Sequence, residues 1–201
     1  MAISLKNKKV LITAGPTWVK LDDVRIISNS ASAETGILLA EKLSRAGIKV
    51  TLILGPVQQD YKNKKIRILR FSYFDELRSI LNSELKTGGY GIAVHSAAVS
   101  DYRPTAVKKG KVDSNLDSIR IRLVPTPKLI DSFKKASKDI YLVGFKFEPD
   151  ALKSALVRDA RKLIERSKAD AVLANTLKSG KYISYLVSGR LIKGPFNSKA
   201  K

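Results

Sequence analysis

The chain of 201 residues has no cysteine, one histidine and no long apolar run. The lack of cysteine excludes a disulfide framework, a Cys-bearing zinc site and a Cys nucleophile, and it fits the reducing cytoplasm, where we expect the protein to act. Because His95 is the single histidine, a metal site built from several histidines is excluded. No segment reaches the ~18 apolar residues of a membrane-spanning helix, and the first residues lack the apolar centre of a signal peptide. We therefore expect no association with a membrane.

Acidic residues are also scarce, since 18 Asp and Glu face 38 Lys and Arg and leave a formal net charge of +20. Such an excess is typical either of a nucleic-acid-binding surface or of a surface that handles small anions such as nucleotides. Aromatic residues make up 7% of the chain and do not alternate with the basic clusters as base-stacking platforms would. The pattern does not favour nucleic acid as a partner, although a non-catalytic nucleotide- or nucleic-acid-binding module remains the alternative.

The composition is otherwise that of a globular protein, with 44% hydrophobic and 28% charged residues. No linker-like stretch and no internal repeat interrupts it. We therefore expect one domain over residues 1–201.

Short apolar runs alternate with amphipathic segments along the chain. The predicted strands are 9–14, 48–54, 66–71, 90–94, 118–124, 140–145 and 171–175. The predicted helices are 32–46, 73–85, 127–135 and 150–167. Two last strands, 182–187 and 190–193, form a predicted hairpin around Ser188-Gly189, whereas 20–30 is predicted to be irregular. The sequence thus predicts an α/β fold with a doubly wound, mostly parallel, Rossmann-like sheet and a C-terminal β-hairpin extension.

Ligands of such sheets bind outside the carboxyl ends of the strands, and three of these ends carry polar residues. They are the loop Gly15-Pro16-Thr17, the stretch from His95 to Arg103, and Asn175. A glycine loop that leads towards a helix offers N–H groups to phosphate, although Gly15-Pro16 alone also fits a plain tight turn. The dinucleotide fingerprint and the Walker loop are both missing, which argues against an ordinary NAD enzyme and against a kinase.

Individual side chains in and near these loops are candidates for a role. Asn29, ahead of the first predicted helix, is by position a turn or cap residue. Asp101 is a turn aspartate or a carboxylate that holds Mg²⁺ near phosphates. Lys111 is a surface lysine or a cation that neutralises a transferring phosphoryl group. His95 is assigned no role.

Taken together, several spaced motifs resemble the phosphopantothenate–cysteine ligase family, also called phosphopantothenoylcysteine synthetase. The opening signature is matched by Val10-Leu-Ile-Thr-Ala-Gly-Pro-Thr17, Asp22-Asp-Val-Arg25, Ile27-Ser-Asn29 and Gly36. Later signatures are matched by Ala97-Ala-Val-Ser-Asp-Tyr-Arg-Pro104, Lys111, Val143-Gly-Phe145 with Glu148, and Leu173-Ala-Asn175. The motifs occur in the family's order from about residue 9 to about residue 195, which makes the resemblance far more specific than any single motif.

The resemblance implies a stand-alone ligase that joins 4′-phosphopantothenate to L-cysteine through an acyl-nucleotide intermediate in coenzyme A biosynthesis. It implies CTP as co-substrate, with ATP as the alternative, together with Mg²⁺, and a homodimer whose contact lies near 111–124 and the hairpin. The implied catalytic residues are Asn29 and Lys111, and the metal residue is Asp101. The implied nucleotide-binding residues are Gly15, Pro16, Thr17, Ser32, Ala97, Ala98, Asp101 and Lys111. The implied substrate-binding residues are Arg25, Asn29 and Asn175.

The family pattern is not kept in two stretches. Its Asn-x-Ser-Ser-Gly becomes Asn29-Ser-Ala-Ser-Ala33, so Ala31 lacks a hydroxyl and Ala33 replaces glycine. Its Lys-Asn-Pro-Asp becomes Pro125-Thr-Pro-Lys128, which puts a cation where the family has a carboxylate. That element is expected near the sugar and base, so the choice between CTP and ATP stays open here.

Overall fold

A central sheet of eight strands organises the protein, and the computed structural model describes residues 8–58 and 61–199 of it. The strands in chain order are β1 (Lys9–Ala14), β2 (Trp18–Lys20), β3 (Ile26–Ser28), β4 (Lys49–Leu54), β5 (Arg67–Arg70), β6 (Ile92–His95), β7 (Tyr102–Pro104), β8 (Leu123–Pro125), β9 (Tyr141–Phe147), β10 (Ala171–Lys178), β11 (Lys181–Ser188) and β12 (Leu191–Phe196). The helices are α1 (Glu34–Arg45), α2 (Phe74–Thr87), α3 (Asp131–Ala136) and α4 (Lys153–Ser167).

The order of strands in the sheet is β12-β11-β10-β9-β6-β1-β4-β5. From β10 to β5 the neighbouring strands are parallel, whereas β11 and β12 are antiparallel to their neighbours. The chain runs outward from β1 to β4 and β5, then returns to β6 on the other side of β1. The sheet therefore has its topological switch point between β1 and β6, as in other doubly wound sheets. The predicted fold class is confirmed.

Both faces of the sheet are apolar and each is covered by different helices. Val10 and Ile12 of β1 pack with α1 on one face, whereas Leu11 points to the cluster that includes α2, α3 and α4. This alternation is the period-two pattern of a strand that is buried on both sides. Among the described residues, no helix is long and apolar enough to cross a membrane.

The predicted strand at 118–124 is largely wrong. Only Leu123–Pro125 is a strand, which pairs with Tyr102–Pro104 outside the main sheet. Ile119 and Ile121 alternate with basic residues as the pattern required, but their side chains are 49% and 43% exposed. A strand needs a partner for its backbone and a surface for its apolar face. Among the described residues, the Thr105 N–H donates to the Arg122 carbonyl at 3.0 Å, but no strand pairs with residues 118–121.

Two other expectations change at the ends of the sheet. The stretch 20–30, predicted to be irregular, contains part of a short hairpin in which β2 pairs with β3. The predicted C-terminal hairpin is present, but its turn is Gly189-Arg190, because Ser188 still pairs with Leu191 and Gly189 takes a positive φ of 56°. Since β10 is also antiparallel to β11, the extension is a three-stranded meander.

Candidate active site

The loops that follow β1 and β6 continue the pairing of these strands beyond the switch point. Ala98 N–H donates to the Gly15 carbonyl at 2.9 Å, and Thr17 N–H donates to the Ala98 carbonyl at 3.3 Å. Pro16 and Ala98 form an isolated parallel bridge. The structure thus brings together five of the predicted nucleotide-binding residues, Gly15, Pro16, Thr17, Ala97 and Ala98, on two adjacent loops.

Glycine is required at two positions of this platform. Gly15 has a φ of +89°, and a Cβ there would lie 3.1 Å from the Cα of Gly55. Gly36, in the first turns of α1, packs so closely on β1 that an added Cβ would lie 2.4 Å from the Cβ of Ala14. These two glycines let the loop turn sharply and let α1 approach the strand ends.

The start of α1 shows what one departure from the family pattern costs. Ala33, the N-cap residue of α1, has a φ of +62°, a left-handed conformation that costs about 1–2 kcal/mol for a residue with a Cβ. The glycine of the family signature avoids this cost. Next to it, the Ser32 hydroxyl accepts a hydrogen bond from the Glu34 N–H at 3.4 Å, so Ser32 lies at the N-terminus of α1. Its nucleotide-binding role stays a prediction.

A network of buried hydroxyl groups fixes the two loops, and these contacts were not predicted from the sequence. Thr17 Oγ1 accepts from the Ser100 N–H at 2.8 Å and donates to Ser100 Oγ at 3.1 Å. Thr126 Oγ1 donates to the Ser100 carbonyl at 2.6 Å, which ties the segment before α3 to the same loop. Isolated threonines and serines in apolar surroundings carry no sequence signal for such partners.

Asn29 connects the platform to the first of two cavities. Its Nδ2 donates to the Ala98 carbonyl at 3.0 Å, although the two residues are 69 positions apart. The cavity beside it has a volume of about 1120 Å³ and is lined by Asn29, Pro16 and Ser32 among others. We call it the Asn29 cavity. It places a predicted catalytic residue and two predicted nucleotide-binding residues around one space.

A second cavity of about 560 Å³ opens on the other loop and is lined by Ala97, Asp101, Lys128 and His95 among others. We call it the Asp101 cavity. Lys128 Nζ lies 2.6 Å from Asp101 Oδ1. The cation that departs from the family pattern is therefore paired with the aspartate to which the family resemblance gives the metal. Both side chains are largely exposed, so the pair contributes little to stability.

The described residues contain no group of three His, Asp or Glu side chains that could hold a metal ion. Asp101 is one carboxylate, and Lys128 already contacts one of its oxygens. One carboxylate is nevertheless the usual protein contribution where Mg²⁺ arrives on the phosphates of a nucleotide. The residues present fit an ion brought by a substrate and not a metal site built by the protein alone.

His95 ends β6 and lies inside the molecule. Its Nδ1 is 2.7 Å from Thr13 Oγ1, and its ring centroid is 5.2 Å from that of Phe133. Burial lowers the pKa of His95 to about 4, because the charged form loses its hydration. The imidazole is therefore neutral at physiological pH and offers no positive charge to a bound anion.

This pKa gives a testable dependence of stability on pH. The unfolded chain, with an ordinary histidine pKa of 6.5, binds a proton that the folded protein excludes down to about pH 4. The free energy of unfolding should therefore fall by about 3 kcal/mol more in the wild type than in His95→Asn as the pH drops from 7 to 4. Urea denaturation at several pH values measures this difference, and parallel curves for the two proteins would contradict it.

Lys111 lies outside both cavities, on the segment 105–122 that joins β7 to β8, which we call the strap. It is exposed and is flanked by anchored residues. Val112 N–H donates to Asp22 Oδ2 at 3.0 Å, and the Val112 carbonyl accepts from Arg25 Nη2 at 2.9 Å. Arg25, expected to bind substrate, therefore contacts the strap in this structure.

Asp22 likewise was given no role of its own from the sequence. Its carboxylate is buried and accepts backbone N–H groups of Val112, Val24 and Arg25. The hydrogen bond from Val112 is the largest of the effects that lower the pKa of Asp22 to about 2. Its position in the Asp22-Asp-Val-Arg25 motif was visible, but its partner 90 residues away was not.

Asn175 does not lie with the other predicted site residues that line the two cavities. It lies within β10, two strands from β6 in the sheet, and its carbonyl accepts a hydrogen bond from the Glu148 N–H at 3.0 Å. It is not among the residues that line either cavity. Its substrate-binding role stays a prediction.

Paired loops at a switch point, with a helix N-terminus beside them, define a doubly wound α/β protein whose candidate site lies where sheets of this class usually bind phosphorylated ligands. Within that class, the chain belongs to the family described as the DNA/pantothenate metabolism flavoprotein C-terminal domain, whose model matches residues 5–185. The family resemblance that the motifs indicated is thereby confirmed.

Known proteins similar to this chain agree with that assignment. The coenzyme A biosynthesis bifunctional protein CoaBC of Thermococcus kodakarensis is 38% identical over 181 residues, which cover 88% of this chain and 43% of the relative. The chain thus spans less than half the length of this relative. The crystal structure of the DNA/pantothenate metabolism flavoprotein from Streptococcus pneumoniae superimposes with a TM-score of 0.85 at 26% identity, covering 96% of this chain and 93% of the other.

A mutant of Cab2 in complex with phosphopantothenate-cysteine also has this fold. It superimposes with a TM-score of 0.68 at 20% identity and covers 92% of this chain and 77% of the other.

Proposed function

We propose that the chain joins 4′-phosphopantothenate to L-cysteine at the expense of a nucleoside triphosphate. The substrate carboxylate attacks the α-phosphorus and displaces pyrophosphate. The cysteine nitrogen then attacks the acyl carbon, loses a proton and displaces the nucleoside monophosphate. Family membership supports this reaction, as do the coenzyme A biosynthesis function named for the Thermococcus relative and the ligand of the Cab2 complex.

The observation that carries the proposal is the hydrogen bond from Asn29 to the Ala98 carbonyl at the switch point. Asn29 lines one cavity, and Ala97, next to Ala98, lines the other. An acyl nucleotide has two parts, an acyl chain and a nucleotide, which need two neighbouring spaces that share one reacting centre. Holding both parts in one geometry is what accelerates a reaction that requires no protein nucleophile.

We assign CTP as the nucleotide, with ATP as the alternative, and Mg²⁺ as an ion that arrives on its phosphates. Gly15, Pro16, Thr17, Ser32, Ala98 and Asp101 supply the groups around the nucleotide. Lys111 neutralises charge on the phosphates. The ion would serve the same purpose when bound, since both reduce the repulsion between the attacking carboxylate and the α-phosphate.

Measuring pyrophosphate release tests the proposal. The purified chain is given Mg²⁺, 4′-phosphopantothenate and either CTP or ATP, with and without L-cysteine. We expect continuous release with cysteine and, without it, one burst of release as the acyl nucleotide accumulates. The faster nucleotide identifies the base. No release with either nucleotide from correctly folded protein would reject the reaction.

A homodimer is the second part of the proposal. The strap and its flanking strands carry large apolar side chains that are 43–56% exposed, namely Tyr102, Val107, Leu116, Ile119, Ile121 and Leu123. A set of this kind on one segment is typical of an interaction surface. A second copy of the strap would also supply a strand partner for residues 118–121, which pair with no strand of the described chain.

Sedimentation equilibrium tests the dimer. The wild type is expected to sediment as a dimer, and the double variant Ile119→Ser and Ile121→Ser as a monomer, because the variant removes the apolar side chains from the strap. The matched control changes two exposed apolar residues outside the strap and the hairpin, Phe147→Ser and Leu152→Ser, and should remain dimeric. A monomeric wild type at tens of micromolar would contradict the dimer.

One observation favours a second candidate function. Lys128 occupies the position of a family carboxylate and pairs with Asp101, which weakens the case for chemistry that requires Mg²⁺ there. A non-catalytic nucleotide-binding module on the same fold would bind CTP or ATP without releasing pyrophosphate. The release assay therefore separates the two functions, provided that nucleotide binding is measured alongside.

A further inference from the structure

We propose that Asp22 is a positioning residue of the ligase, which fixes the backbone on which Lys111 is carried. The proposal rests on the proposed function for its kinetic consequence, although the contacts themselves do not depend on it. Asp22 lies in the turn between β2 and β3, and Lys111 lies on the strap. Asp22 is linked to Lys111 through one hydrogen bond, which it accepts from the next residue of the strap, Val112.

Both oxygens of the Asp22 carboxylate accept hydrogen bonds from backbone N–H groups. Oδ1 accepts the N–H groups of Val24 at 2.8 Å and Arg25 at 2.6 Å, which shapes the turn. Oδ2 accepts the N–H of Val112 at 3.0 Å. Asp22 is 1% exposed, so these bonds do not compete with water. One buried group therefore ties the strap to the body of the protein.

Other bonds hold the strap on both sides of Lys111. The Gly110 N–H donates to Asp23 Oδ2 at 2.6 Å, before Lys111 in the chain. After it, the Val112 carbonyl accepts from Arg25, and the side chain of Val112 is buried. The backbone of Lys111 is thus fixed between two anchored residues while its side chain remains exposed.

We call the contacts that hold Gly110 and Val112 the clamp. The clamp matters for catalysis because a displacement of about 1 Å of a catalytic group can cost about 100-fold in rate. In Asp22→Asn, the side chain keeps its shape, but an NH₂ group replaces one of the two acceptors. Either Val112 or the pair Val24 and Arg25 then faces a donor instead of an acceptor, and the strap loses its fixed position.

A double-mutant cycle tests the proposal through Lys111. Initial rates of pyrophosphate release are compared for the wild type, Asp22→Asn, Lys111→Gln and the double variant. We expect Asp22→Asn to lower kcat by about 10- to 100-fold alone but by less than about 3-fold when Lys111 is already replaced, because Asp22 then has no lysine to position. Equal losses in both backgrounds would overturn the proposal.

Two further variants complete the test, one as a control and one as a substitute for Asp22→Asn. Asp113→Asn makes the same change on the strap at a carboxylate that accepts the nearby Asn115 N–H, and it should leave kcat within about 3-fold of the wild type. If Asp22→Asn does not fold, Arg25→Gln removes the bond to the Val112 carbonyl instead. Its cost should also vanish with Lys111→Gln, whereas a direct contact between Arg25 and substrate would keep its cost.

Amide hydrogen exchange without substrates tests the clamp independently of any activity. The N–H groups of Gly110 and Val112 should exchange at least about 10-fold faster in Asp22→Asn than in the wild type and in Asp113→Asn. Unchanged exchange would overturn the clamp even if the ligase reaction occurs. Conversely, faster exchange in a protein that releases no pyrophosphate would support the clamp and reject the proposed function.

Discussion

Replacing Lys111 with glutamine is expected to lower the rate of pyrophosphate release by about 100- to 1,000-fold. The attacking carboxylate and the triphosphate are both anions, so the first step develops charge that a cation must offset. Losing one group that stabilises such charge typically costs this much in rate. Glutamine is one bond shorter than lysine but stays polar and keeps a hydrogen-bond donor, so the loss reports mainly on charge. Initial rates with CTP and with ATP measure it.

The matched control for this variant is Lys109→Gln. Lys109 lies two residues away on the same strap, is likewise exposed, and its replacement changes the net charge of the protein by the same amount. It should leave the rate within about 3-fold of the wild type. Near-normal turnover of Lys111→Gln, or an equal loss in Lys109→Gln, would mean that the strap supplies only a general positive field.

Replacing Asn29 with aspartate is expected to stop the reaction at the acyl nucleotide. The change removes the Nδ2 group that donates to the Ala98 carbonyl at 3.0 Å and places a negative charge beside that oxygen. The same charge would lie next to the anionic phosphate of the intermediate, which would no longer be held for attack by cysteine. Pyrophosphate should therefore appear in one burst, while formation of the amide falls by at least about 100-fold.

Rapid quenching followed by mass spectrometry measures the intermediate and the amide product together. Asn82→Asp on the exposed side of α2 introduces the same charge away from both cavities and serves as the control. Equal losses of intermediate and product in Asn29→Asp would show that Asn29 acts before the first step. Normal turnover would remove Asn29 from the reaction.

The parts of the fold that the sequence predicted are those with strong local periodicity. The run from Lys9 to Ala14 is a strand buried at five of its six positions, and its bounds coincide with the prediction. Gly15 ends it because the loop needs a positive φ. Strand ends of a parallel sheet meet at one edge, so the loops at 15–17 and 95–101 could be expected to lie together.

Features that depend on contacts between distant segments could not be predicted in the same way. The alternation at Ile119 and Ile121 satisfies the rule for a strand, yet a strand forms only where a neighbour supplies hydrogen bonds. Asp22 reads as an ordinary turn residue until its partner Val112 is known. The ion pair of Lys128 with Asp101 likewise joins segments whose separation in space is set by Thr126 and Ser100.

Formation of phosphopantothenoylcysteine is the decisive measurement for the proposed ligase reaction. The purified chain is incubated with Mg²⁺, 4′-phosphopantothenate, L-cysteine and CTP or ATP, and the products are identified by mass. The proposed function predicts the amide together with equal amounts of pyrophosphate and nucleoside monophosphate, and no amide when the nucleotide is omitted. Absence of the amide with both nucleotides, from protein that is folded and binds nucleotide, would contradict it.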